Sequence, residues 1–299
     1  MSDYILHLLC LFGIYATAAM SLNLIIAGAG LMSLAHAAFL GIGAYAYAVC
    51  SLHGLGFLPA MLVGIVFAVL VSFALSISAW RFRGDFFVLI SLAVQALIYS
   101  AIYNWHSTVT QPGTWQNLTN GPYGIAGIAR PEIFGIKFDS IASLAVLSLL
   151  AASASSAICF VLMKSPWWRM ATAMRDDELA ARSIGKNVRL AKLQLFAIAS
   201  GMVATAGAIY AGYFRYVNPE SASLGEGILL LSMVLVGGTG NFRGPIVGAA
   251  ILIAIPEILR FVEMPSNVAA NVRLLIYGVL LVGFMHFRGR GIIGGYRVE

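Results

Sequence analysis

Long apolar runs separated by short polar joints set the pattern of this chain. A helix that crosses a ~30 Å hydrocarbon core needs ~20 mostly apolar residues. Eight or nine stretches reach or approach that length, at 4–27, 34–53, 57–80, 86–104, 140–163, 193–214, 226–239, 245–262 and 271–287. The seventh is short for a full crossing. No polar block of soluble-domain size interrupts the runs, so the pattern predicts an all-α polytopic membrane protein with about 8–9 transmembrane helices. It is read as one membrane domain over residues 1–299.

One stretch breaks the pattern. Residues 164–192 hold seven of the eighteen Lys and Arg and three of the twelve acids. Their local grammar is helical. Ser165 can cap, Pro166 suits a first helical turn, and Gly185 offers a left-handed stop. Between them stand helix formers with no further Gly or Pro. A single charged helix of about 19 residues is expected over 166–184, lying between two spans. Such a helix is a handle for something outside the membrane to grip.

Two glycine-rich breaks interrupt apolar runs, GAGLMSLAH at 28–36 and GGTGNFRGP at 237–245. Matching breaks in two halves of a transporter point to a substrate path, because unwound backbone offers hydrogen-bonding groups at depth. On that reading Asn23, Ser33, His36, Gly41, Gly43 and Gly238 line the path. The alternative is that the glycines let helices pack closely. A packed, hydrogen-bonded His36 is the plainer reading of that residue.

Composition agrees with a membrane location. The chain is 60% hydrophobic and 10% charged, against about 25% charged in an ordinary globular protein. The net charge of +6 fits cationic cytoplasmic loops better than nucleic-acid binding. Arg81 and Arg83, the polar island, and Arg288, Arg290 and Arg297 share the cytoplasmic side if two and then four spans separate them. The N-terminus then lies outside. Its MSDY start lacks the basic region and cleavage site of a signal peptide, so the first span is expected to be retained. Arg215, Arg260 and Arg273 fall outside against the rule, with Glu220, Glu257 and Glu263 close by in sequence. The segment 105–139, rich in turn formers, becomes an external loop. It is either the seat of an external delivery partner or a plain connector.

Catalytic chemistry has no foothold in the sequence. There is no GxSxG, no HExxH and no carboxylate pair within a span. Only Lys186 of the four lysines follows a glycine, and Asn187 stands where a P-loop requires Ser or Thr. Cys10, Cys50 and Cys159 lie in apolar stretches and suggest neither a disulfide nor a metal site. No cofactor is expected. Secondary transporters usually carry intramembrane acids. Here Glu226 reads as sitting at the mouth of a span and Glu257 as an interfacial partner of Arg260, which leaves the mid-membrane with weakly polar groups such as Gln95. Energy must then come from a partner.

The island carries ExAAxxxG at 178–185, the form of the EAA loop of ABC-importer permeases. Small alanines seat a short helix in a partner's groove while flanking charges set its register. The wider chain resembles the LivM-type branched-chain amino acid ABC transporter permeases. The segments that carry the resemblance are SLNL at 21–24, GLMSLAHAAFLGIGAY at 30–45, RGDFFVL at 83–89 and NGPYGI at 120–125. MRDDELAARSIG at 174–185, AGAIYA at 206–211, VGGTGNFRGP at 236–245 and FRGRGIIG at 287–294 continue it. Ala35 stands where that pattern usually has Gly, and the family's extra leading hydrophobic segment is lacking. The resemblance implies a bacterial inner-membrane permease that is not itself an enzyme. Its expected partners are two cytoplasmic ABC ATPase subunits, a second homologous (LivH-like) permease and an extracytoplasmic substrate-binding protein. Arg175, Asp176, Asp177, Glu178, Ala180, Ala181 and Gly185 are then the ATPase-coupling residues. The implied cargo is Leu, Ile and Val. Urea, short amides, other amino acids and a non-transporting structural role remain as alternatives.

Overall fold

The computed structural model describes residues 2–82 and 84–260, together with 272, 275, 276, 278, 279, 282, 283 and 291–294. Arg83, Glu263, Arg273, Arg288, Arg290, Arg297, the side chain of Arg260 and most of the expected ninth span lie outside the described residues. Four helices precede the loop at 105–139: α1 Ser2–Ala29, α2 His36–Leu52, α3 Phe57–Ser78 and α4 Asp85–Asn104. After it come α5 Ile141–Lys164, α6 Pro166–Asp176, α7 Glu178–Ser183, α8 Val188–Phe214, α9 Leu224–Gly237 and α10 Arg243–Arg260.

Five of these, α1, α3, α4, α5 and α8, are long and apolar enough to cross a membrane. Their burial divides them. α1 and α8 are mostly enclosed, whereas α3, α4 and α5 turn much of their surface outward. Leu62, Val66, Phe67 and Leu70 of α3 and Leu89 and Leu97 of α4 stand exposed, as lipid-facing side chains do. Small residues let the inner helices touch backbone to backbone, the usual basis of helix packing without a hydrophobic drive between helices. A Cβ on Gly13 would lie 2.6 Å from the backbone of Ser148, where α1 meets α5, and one on Gly207 would lie 2.1 Å from the Leu40 carbonyl, where α8 meets α2.

One end of the bundle is basic. Arg175 Nη1 of α6 donates to the Ala27 carbonyl near the end of α1 at 2.7 Å. Lys192 Nζ of α8 donates to the Ala79 carbonyl just past α3 at 2.7 Å, and Arg189 lies 5.5 Å over the Trp80 ring. Arg81 and the island therefore share one end, as the even count of spans between them requires. At the opposite end the loop is stitched down. Ile125–Ala126 pairs antiparallel with Tyr216–Val217 after α8, and Glu132–Ile133 pairs with Ile136–Lys137.

Two expectations are corrected. The island is not one helix. α6 stops at Asp176, and Asp177 takes an extended backbone (φ −148°, ψ 105°). Its carboxylate accepts from the backbone N–H of Leu179 at 2.9 Å and of Ala180 at 3.0 Å. Aspartate caps a new helix better than it continues an old one, so α7 starts on a fresh axis.

The seventh apolar segment is a half-span. α9 has 14 residues, ~21 Å of helix against a ~30 Å core. It is preceded by a 3₁₀ turn, Pro219–Ala222, that sinks into the bundle. Gln95 Nε2, midway along α4, donates to the Ala222 carbonyl at 2.7 Å. Glu226, in the first turn of α9, meets Tyr15, midway along α1. α9 thus begins at mid-depth and runs to the basic end. There Gly238 turns the chain at φ +107°, a conformation that favours glycine.

Candidate functional site: the polar island and an acidic cavity

At the basic end, α6 and α7 pack one face onto the bundle. Trp168, Ala171 and Met174 of α6 are buried. Glu178, expected at the rim, is buried with 4% of its side chain exposed, and its Oε2 pairs with Lys192 Nζ at 2.9 Å. Arg182 pairs with its other oxygen. Ala181, expected to touch a partner, is buried among Met174, Val188 and Ala191 of the same chain. Arg175 is turned toward α1 and also pairs with Asp176 at 2.8 Å. The outward surface of the island is formed instead by Asp176, Asp177, Ala180 and Gly185, with Leu179 and Ile184 each 70% exposed. Gly185 has φ +76° and open space where a Cβ would stand.

The pathway candidates are all enclosed, and the structure shows what each touches. A Cβ on Gly43 would lie 2.2 Å from the Ala204 carbonyl oxygen, and one on Gly41 would lie 2.6 Å from the Ala222 Cβ. These contacts are close packing. Asn23 is buried and bridges the second glycine-rich break. Its Nδ2 donates to the Asn241 carbonyl at 3.1 Å, and its Oδ1 accepts from the Gly240 N–H at 3.4 Å. The first break is held by Ser91 Oγ, which accepts from the Leu34 N–H at 3.0 Å. His36 is buried edge-on to Phe39 at 5.9 Å between ring centroids. Neither of its ring nitrogens has a partner among the described residues, against the expectation of a hydrogen-bonded histidine, and Ser33 Oγ is likewise unpaired.

A large cavity lies elsewhere. It occupies about 720 Å³ between α1, the end of α8, α9 and α10, in the half of the bundle away from the basic end. None of the pathway candidates lines it. Much of its lining is aliphatic, with Leu8, Leu11, Leu229, Met233, Leu252 and Ile253. Glu220, Glu226 and Glu257 face the same space, and no Lys or Arg is among the described residues that line it.

Glu226 corrects the expectation that the mid-membrane lacks an acid. Its run of apolar residues made it look interfacial, but the sunken 3₁₀ turn carries the start of that run down. Tyr15 Oη donates to its carboxylate at 3.2 and 3.4 Å. The signal for this start was in the sequence. Ser223-Leu-Gly-Glu226 has the S-x-x-E form of a helix N-terminus, and Ser223 Oγ does accept from the Glu226 N–H at 3.4 Å. Glu257 accepts from Tyr4, across the outer end of α1, while the side chain of Arg260, its expected partner, lies outside the described residues. The Lys192–Glu178 pair and the Gln95–Ala222 bond had no local signal at all.

Comparison with known proteins agrees with this architecture. The family model described as branched-chain amino acid transport system / permease component matches residues 4–285. The high-affinity branched-chain amino acid transport system permease protein LivM of Escherichia coli (strain K12) is 28% identical over 304 residues, covering 94% of this chain and 68% of that protein. LivM of Salmonella typhimurium matches at 28% over 305 residues, with the same coverage of each chain. The autoinducer 2 import system permease protein LsrC of Salmonella typhi is 28% identical over 174 residues, 56% of this chain and 47% of that protein. No solved structure matches significantly. With the match running through all the described spans, the chain belongs to the family of branched-chain amino acid transport system permease components and is a multi-pass membrane protein.

Proposed function

We propose that this chain is one permease subunit of an ATP-driven ABC importer for branched-chain amino acids. The observation that carries the reading is the family match over residues 4–285. The whole chain forms the permease unit, with the basic end in the cytoplasm and the loop at 105–139 outside. Two ATPase subunits supply the energy, a second, LivH-like permease completes the conduit, and an extracytoplasmic binding protein delivers the cargo. The chain's own contribution is passage, not hydrolysis.

The outward face of α6 and α7 is the surface offered to an ATPase. Leu179 and Ile184 give it an apolar centre, and Asp176, Arg182 and Lys186 give it a charged rim. On the far side, exposed Trp115 and Phe134 give the loop an apolar surface for the delivery protein. Arg175, Asp177, Glu178, Ala181 and Gly185 act from behind, by fixing how α7 is presented. Asn23 and Gly238 shape the turn at the inner end of α9, while Ser33, His36, Gly41 and Gly43 hold α2 in register.

Copurification of the assembled complex, followed by uptake assays in vesicles, tests this. Labelled leucine should accumulate when ATP is present inside and continue when an uncoupler collapses the proton gradient. Loss of uptake under uncoupler at constant ATP would contradict ATP drive. The match to an autoinducer 2 permease favours a second reading, in which the cargo is a different small polar molecule. Identifying the ligand retained by the copurified binding protein separates the two.

A further inference from the structure

Glu226 is a carboxylate at mid-depth with one described side-chain donor, Tyr15, at 3.2 and 3.4 Å. A carboxylate withdrawn from water needs donors or a cation, and one long phenol contact falls well short of its capacity for about four. The first turn of a helix favours negative charge at this position. The cavity beside it supplies no Lys or Arg among the described residues, and it adds Glu220 and Glu257 to the negative field. Leu8, Leu11, Leu229 and Leu252 line the same space. The space therefore combines carboxylates that attract cations with aliphatic side chains that attract hydrocarbon. About 720 Å³ lies within the ~300–1,000 Å³ of small-molecule sites.

We infer that this cavity is a binding station for a primary ammonium compound with a branched aliphatic tail. Glu226 holds the ammonium and Leu8, Leu11, Leu229 and Leu252 hold the tail. The inference deepens the importer reading, since a branched-chain amino acid carries both groups. It places cargo in the outer half of the permease, above α9. An ammonium group brings three donors and a compact charge, which complements the half-buried carboxylate. Tyr15 and Tyr210 border the same space and present rings of the kind that tolerate a neighbouring cation.

The experiment uses the full chain in lipid nanodiscs, with Cys10, Cys50 and Cys159 each replaced by Ala and with Leu229→Cys as the reporter. The rate of maleimide modification at that position is followed with isopentylammonium, L-leucine or 4-methylpentanoate added. Isopentylammonium and L-leucine should slow modification, and 4-methylpentanoate should not. Glu226→Gln should raise the concentration needed for half-protection about tenfold or more, the effect of losing one charged hydrogen bond. Glu226→Asp, which keeps the charge, should restore most of the protection and so exclude misfolding as the cause. Protection by 4-methylpentanoate equal to that by the amine would overturn the inference. So would protection unchanged in Glu226→Gln, or none by either amine. The assay needs neither ATP nor partners, so a failure of ATP-driven leucine uptake with protection intact would count against the importer reading alone.

Discussion

Two glutamates, one buried and one half-buried, divide this molecule. Glu178, at the basic end, is closed off, with Lys192 on one oxygen and Arg182 on the other, and Lys192 in turn tied to the end of α3. Glu226, at mid-depth, has one phenol and an open cavity. The first carboxylate is completed by its own chain, and the second meets only Tyr15 among the described side chains. A closed ion pair fixes geometry, so it suits a surface that must present α7 at a constant angle. An open carboxylate leaves a place to be filled. The residue type is the same, and the difference lies in what the fold brings to it.

The comparison is broken most forcefully at Lys192. Removing one member of a buried pair leaves the other uncompensated, and Lys192→Met should destabilise the protein by about 3 kcal/mol, at the lower end of the range because Arg182 remains. Adding Glu178→Gln should recover most of that loss. Glu226→Gln should change stability by less than ~1 kcal/mol. Thermal unfolding in detergent reads all three, and a loss at Glu226 as large as that at Lys192 would erase the distinction.

A smaller effect is expected at Gly43, between the two regions. A side chain there runs into the Ala204 backbone, and overpacking of a fitted contact costs ~1–3 kcal/mol. Gly43→Val should reduce the yield of folded protein. A variant that folds and assembles normally but blocks uptake would restore Gly43 to the pathway.

The smallest effects concern the joint between α6 and α7. Asp177→Ala removes a helix cap and should cost ~1 kcal/mol, seen as increased hydrogen exchange in α7. Asp176→Asn alters an exposed charge and should change stability by under ~1 kcal/mol. The reverse ranking would mean that the Asp177 cap contributes little to holding α7.

Local grammar carried much of this fold. The first six apolar runs are helices close to their expected limits, and Ser165, Pro166 and Gly185 sit where cap, first turn and stop were read. What local grammar missed was depth. Hydropathy reports how apolar a run is but not where it starts along the membrane normal, so Glu226 was placed at an edge. Burial direction was missed for a related reason. The island's charges looked solvated because nothing in the sequence connects Glu178 to Lys192, fourteen positions on and across a turn. In the same way, the glycines at 41 and 43 looked like a path because close packing and an open channel draw on the same small residues.

The half-length of α9 has a consequence for how the chain is made. A segment of ~21 Å with an acid in its first turn is a poor candidate to enter a bilayer alone. Its place depends on Gln95 of α4, Tyr15 of α1 and the glycine contacts with α10. Two of those partners are synthesised before it and one after. The segment's residence in the membrane is therefore a property of the assembled bundle, settled only once the chain on both sides of it has emerged from the ribosome.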